Sequence, residues 1–198
     1  MLAQMSSMVL FLVVSTISVN FVKREKFDMK KISRISIFAA LTMVLYFIKL
    51  VPFPQGGGCS LLSVLPIMIL AVVGGTGEGV ICAIIVASLK LVLAPPYYPL
   101  QIPLDYYGAM LVIAFTPLFG VDDKFKLFLG GISAGFVSMI FSVLSGVLFF
   151  SQFAPEGMNP WLYSFIYNVS GYGVEVIASV IVLVFMPLNS IRKQFKYA

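Results

Sequence analysis

"KFKLFLGGISAGFVSMIFSVLSGVLFF" runs from Lys124 to Phe150. Two lysines stand at its start, and after Lys126 no charged residue occurs until Glu156. About 20 apolar residues are needed for a helix to cross the hydrocarbon of a bilayer, and residues 127–150 supply them. Ala134, Ser138, Ser142 and Gly146 recur at every fourth position. That spacing puts small side chains on one stripe, where a second helix can approach closely. Packing inside a bundle is the plainest account of such a stripe.

The same grammar repeats on both sides. Apolar spans read at 3–22, 32–52, 60–75, 79–94, 103–120, 127–150 and 161–188. The 198 residues are 60% hydrophobic and 11% charged, more apolar surface than a water-soluble domain can hide. Period-2 alternation with a polar face is absent, which excludes a transmembrane β-barrel. The fold class is therefore an all-α integral membrane protein. Eleven of the 13 basic residues fall in three segments, Lys23–Arg34, Lys124–Lys126 and Arg192–Lys196, while the connections at 53–60, 94–104 and 151–160 have none. By the positive-inside rule the basic segments are cytoplasmic, so the net charge of +5 orients the chain and implies no nucleic acid partner.

The last six spans form a bundle with both ends cytoplasmic, and residues 29–198 read as one six-helix domain. Residues 1–28 are a hydrophobic extension. They add a further helix with its N-terminus outside, or they are dispensable, since Met29 also serves as a start.

The connections differ by side. "GGTGEG" (Gly74–Gly79) is a plain turn; a phosphate-binding loop needs Lys-Ser/Thr after its glycines, and Glu78 would repel phosphate. The outer connections "FPQGGGCS" (Phe53–Ser60), "APPYYPLQIPLDYY" (Ala94–Tyr107) and "FFSQFAPEGMNPWLYSFIYN" (Phe149–Asn168) are rich in Pro, Gly, Tyr and amides. Irregular backbone at membrane depth survives only where protein or a watery cavity satisfies it. The chemistry is thus expected on the outer face.

Asp105 stands there with Tyr106 and Tyr107 beside it, and Phe150, Tyr163 and Tyr167 offer further rings. It is a first-turn acid, a partner for Lys49 or Lys90, or the counter-charge of a cationic ligand held by aromatic faces. Asn168 lies about two turns into the last span and bonds a neighbouring helix or a ligand. Trp161, the only tryptophan, sits two residues before Tyr163. Glu175 is the deepest acid and is without a partner for a proton relay, so it reads as structural. Lys49 and Lys90 lie near outer helix ends, from which long side chains reach the membrane surface. Histidine is absent and the two cysteines lack metal spacing, so no metal, cofactor or hydrolytic triad is expected and the chain is not read as an enzyme.

"FPQGG" (53–57), "PLDY" (103–106), "SGVLFFSQFAPEG" (145–157) and "LYSFIYN" (162–168), in this order and spacing, resemble the thiamine-specific substrate-binding subunits (S components) of energy-coupling factor transporters. The likeness spans roughly residues 30–195. It implies a six-helix S-component bundle in the cell membrane that binds thiamine from outside and passes it to a transmembrane coupling subunit and ATPase subunits. It also implies roles: Asp105 as the pocket carboxylate, Tyr106 beside it, Phe150 stacking on the vitamin, Tyr163 and Asn168 as polar contacts. Ser36 and Ala40 match a small-residue motif that docks on the coupling subunit. Ser142 stands where the family has a ligand-contacting histidine, and Tyr98 where it has a histidine before "PLQ". A thiamine precursor or another vitamin is the neighbouring reading. A membrane enzyme would need acid–base or metal residues that this sequence does not supply, and a purely structural membrane protein would bind no small molecule.

Overall fold

Helix starts follow local chemistry. This structure, a computed structural model, describes residues 2–197. Helix α1 spans Leu2–Lys23 and α2 spans Met29–Phe47. Asp28 caps α2 by accepting from the Lys31 N–H at 2.7 Å, satisfying a donor that a helix start leaves open. Where 32–52 reads as one span, the helix stops at Phe47. Lys49–Pro52 (β1) instead pairs antiparallel with Gly58–Ser60 (β2), Lys49 facing Ser60. Pro52 and Pro54 explain the change, because a proline biases the residue before it toward extended backbone.

The 60–75 expectation is shortened for a similar reason. Helix α3, Leu65–Gly74, begins with Pro66 in its first turn, and Leu65 to Val72 are all buried. A helix apolar all round belongs at the centre of a bundle, and α3 occupies that place. A single residue, Gly75 at φ +109°, turns the chain into α4, Thr76–Leu93.

The next span is continuous over Pro99–Phe119 but irregular. It holds a π-helical stretch at Ile102–Gly108 before α5, Ala109–Ile113. Helix α6, Lys124–Phe149, is capped by Asp123 and packs on α5, α7 and α8. The last span contains α7 (Pro160–Asn168), a second π-helical stretch (Val169–Gly173) and α8 (Val174–Phe185). A Cβ on Gly146 of α6 would lie 3.0 Å from Ser164 Cβ, so glycine is what lets α6 and α7 close together. The small-residue stripe therefore packs internally along much of its length; Ala134 and Ser138 are buried, and Ser138 Oγ donates to the Ala109 carbonyl at 2.7 Å.

At the basic end, fully buried Glu78 takes two bonds from Arg34, at 2.7 and 2.5 Å. The amphipathic α9, Leu188–Tyr197, returns there, with Arg192 donating to the Val72 carbonyl at 3.0 Å. Helix α1 lies against α4, α5, α6 and the 102–108 stretch, burying Ser7, Val14 and Ser18 and exposing Met8 and Leu12. Five helices among the described residues are long and apolar enough to cross a membrane. Helix α2 falls outside that set; Lys30, Lys31 and Arg34 occupy its first turns.

Candidate ligand-binding site

A cavity of about 660 Å³ opens between the hairpin β1–β2, the two π-helical stretches, the C-terminal ends of α4 and α6, and α7. Small-molecule sites commonly run from about 300 to 1,000 Å³. Asp105, Tyr106, Ser142, Phe150, Tyr163 and Asn168 all line it. These positions lie up to 63 residues apart, and helix packing brings them to one place.

Asp105 stands in the first turn of its helical stretch, just after Pro103. It sits in the π-helical stretch, where the wider turn re-aims side chains, a feature frequent at functional sites. Gln101 Nε2 at 2.8 Å and Ser145 Oγ at 2.5 Å both donate to its Oδ2. No ion pair within 4 Å joins it to Lys49 or Lys90 among the described residues. Tyr106 donates to the Ala94 carbonyl at 2.6 Å, tying the 94–101 connection to the pocket floor. Tyr107 faces elsewhere and pairs with Ser88 at 3.1 Å, outside the cavity lining.

The aromatic wall has two layers. Phe150 and Tyr97 line the cavity with ring centroids 6.1 Å apart. Tyr98 lies behind, 5.6 Å from Phe150 and stacked on Phe149 at 5.9 Å, with its hydroxyl accepting from Gln152 Nε2. Asn168 Nδ2 donates to its own helix, to the Ser164 carbonyl at 2.9 Å, and does not bridge to a neighbour. Tyr167 donates to the Pro54 carbonyl, pinning the hairpin tip. A Cβ on Gly57 would come within 2.7 Å of the Tyr167 ring, so that contact needs glycine. Trp161 is half-exposed and lies outside the lining.

Sequence reasoning missed three charged walls. Glu175 Oε2 accepts from Ser60 N–H and Oε1 from Ser63 N–H, both at 2.8 Å, and Ser63 Oγ also donates to Oε1 at 2.5 Å. It lines the cavity while anchoring the hairpin. Lys49 and Lys90 do not snorkel outward; they line the cavity, with Nζ 4.1 and 4.7 Å from the Tyr46 ring centroid. A lysine four positions before a proline-rich connection, at both Lys49 and Lys90, was the available signal.

Ser36 and Ala40 are not among the residues lining this cavity and are exposed on α2 among exposed Ile37, Leu41 and Val44. Ser36 Oγ is turned back to the Ile32 carbonyl at 2.9 Å, leaving a smooth face.

With the geometry in place, likeness to known proteins is informative. The sequence profile of the family described as "Thiamine transporter protein (Thia_YuaJ)" matches residues 32–195. The chain belongs to the thiamine transporter protein family. It is therefore a multi-pass membrane protein of a transporter family rather than an enzyme family. It is 27% identical over 185 residues to the thiamine transporter ThiT of Bacillus subtilis (strain 168), covering 84% of this chain and 95% of that one. Its fold matches a solved structure of ThiT from Listeria monocytogenes with a TM-score of 0.70. That match covers 83% of this chain and 96% of that chain at 24% identity, which supports the all-helical membrane fold. Helix α1 precedes the segment that the thiamine transporter family profile covers.

Proposed function

We propose that this chain captures thiamine in the cavity and hands it to an ATP-driven coupling module, as an S component does. Residues 29–198 are the binding domain, and residues 1–28 are an added helix. The observation that carries the reading is Asp105, a carboxylate presented by two hydroxyl and amide donors into an aromatic-walled cavity in a thiamine transporter family protein. A quaternary nitrogen has no N–H to donate, so a carboxylate and ring faces are the groups that recognise it. Phe150 and Tyr97 supply faces; Tyr163, Asn168, Tyr106 and Ser142 supply edges that fix orientation.

The exposed small-residue face at Ser36 and Ala40 meets the transmembrane coupling subunit, which works with separate ATPase subunits. The basic ends lie in the cytoplasm and the cavity opens outside. A thiamine relative is the second reading, favoured by Ser142, whose short hydroxyl leaves room where the resemblance expects a histidine ring. Calorimetry on the purified protein tests both: thiamine should bind without any partner. No heat with thiamine, together with binding of an unrelated vitamin, would refute the first reading.

A further inference from the structure

Four charged side chains line the cavity: Asp105, Glu175, Lys49 and Lys90. Their formal charges cancel. Glu175 is 2% exposed and committed to three hydrogen bonds from the hairpin and its return. Lys49 donates to Ser60 Oγ at 3.0 Å. Lys90 Nζ stands over two rings, 4.7 Å from the Tyr46 centroid and 5.3 Å from that of Tyr106. No carboxylate lies within 4 Å of either ammonium among the described residues. Thr42, one turn before Tyr46 on α2, is 2% exposed and adds a cavity-lining hydroxyl without a hydrogen-bond partner among the described residues.

A purely cationic ligand would leave this enclosure with one positive charge in excess. Net charge held away from water is costly. It would also approach two ammonium groups whose N–H donors find only ring faces and one hydroxyl. Phosphoryl and carboxyl oxygens are the acceptors that lysine and hydroxyl donors are suited to receive. Lysine, a compact point charge on a flexible stem, suits an oxyanion without imposing a fixed geometry.

We propose that the cavity carries a second, anion-binding subsite formed by Lys49, Lys90 and Thr42. Its ligand is then a dipolar form of the vitamin, with a carboxyl or singly ionised phosphoryl group on the thiazolium side arm balancing the cationic ring. This rests on the thiamine reading above and extends it from a vitamin to its anionic derivatives. The ring sits against Asp105 and the aromatic wall, and the anionic group takes the lysines.

The test is calorimetry on the full-length protein in detergent with three probes: thiamine, thiamine monophosphate, and the carboxylic acid made by oxidising the hydroxyethyl arm. The wild type should bind at least one anionic probe as tightly as thiamine or more tightly, and which one does so distinguishes phosphoryl from carboxyl. In Lys49→Met and Lys90→Met the affinity ratio of that probe to thiamine should fall at least tenfold. Lys90→Arg should restore most of it. The ratio is taken within one preparation, so it does not depend on the fraction of each variant that folds. Wild-type protein that binds thiamine and holds both anionic probes at least tenfold more weakly would overturn the subsite and leave the thiamine reading standing. An unchanged ratio in both methionine variants would also overturn it. Lysine-dependent binding of an anionic probe without thiamine binding would uphold the subsite and defeat free thiamine as ligand. Binding of none of the three would defeat both.

Discussion

Asp105→Asn separates charge from architecture unusually well. Two of the donors to this carboxylate, Gln101 Nε2 and Ser145 Oγ, reach the same oxygen, Oδ2. An amide oxygen has two lone pairs and can occupy that position, so both donors stay satisfied. The substitution then places an NH₂ where Oδ1 was, removing the negative charge and turning an acceptor into a donor. Two unit charges attract by roughly 2–3 kcal/mol at about 6–8 Å and an effective dielectric of about 20. Losing that attraction should weaken a cationic ligand by roughly 30- to 100-fold. Titration calorimetry with thiamine and with a neutral analogue in which the charged thiazolium is replaced by an uncharged ring is the assay. The neutral analogue should lose much less. Equal losses for the two ligands, with an unchanged melting midpoint, would refute the assignment of Asp105 as counter-charge.

Tyr163→Phe and Asn168→Ala should each lower thiamine affinity by about five- to 150-fold, the range for one lost partner of a buried hydrogen bond, without changing monodispersity. Aggregation with unchanged affinity in the surviving fraction would instead make them structural. Ser36→Trp with Ala40→Trp should bind thiamine in detergent yet fail to support ATP-dependent uptake with a coupling module. Packing contacts fall steeply across the gap such bulk opens; retained uptake would move the docking face elsewhere. Glu175→Gln sets an amide NH₂ against donors from Ser60 and Ser63, so a thermal melt should show a loss of about 1–3 kcal/mol, and an unchanged midpoint would mean the hairpin is anchored by other contacts.

Hydropathy and charge position carried the large-scale reading. Lys124 and Lys126 before 24 uncharged residues announce a span, because insertion responds to hydropathy along the chain. The aromatic company of Asp105 pointed to the site. What escaped depends on three-dimensional partners. The helix of 32–52 stops at Phe47 because β1 finds β2, a pairing that hydropathy does not encode. The π-helical stretches around Asp105 and Tyr172 leave no periodic mark in five to seven residues. Lys90 read as surface-seeking because its aromatic neighbour Tyr46 comes from another helix, 44 positions earlier, while for Lys49 the same ring is three positions back and only the hairpin turns the side chain toward the cavity.

The bond between Glu175 and Ser60 spans 115 positions of sequence. At a synthesis rate of about 5–20 residues per second, the Ser60 amide emerges roughly 6–23 s before its acceptor is made. During that interval the β1–β2 hairpin has no anchor from the segment 160–185, and Tyr167 has not yet arrived to hold its tip. The cavity is therefore a late product of biogenesis, and nascent chains arrested before residue 175 would lack the acceptor that holds the Ser60 and Ser63 amides.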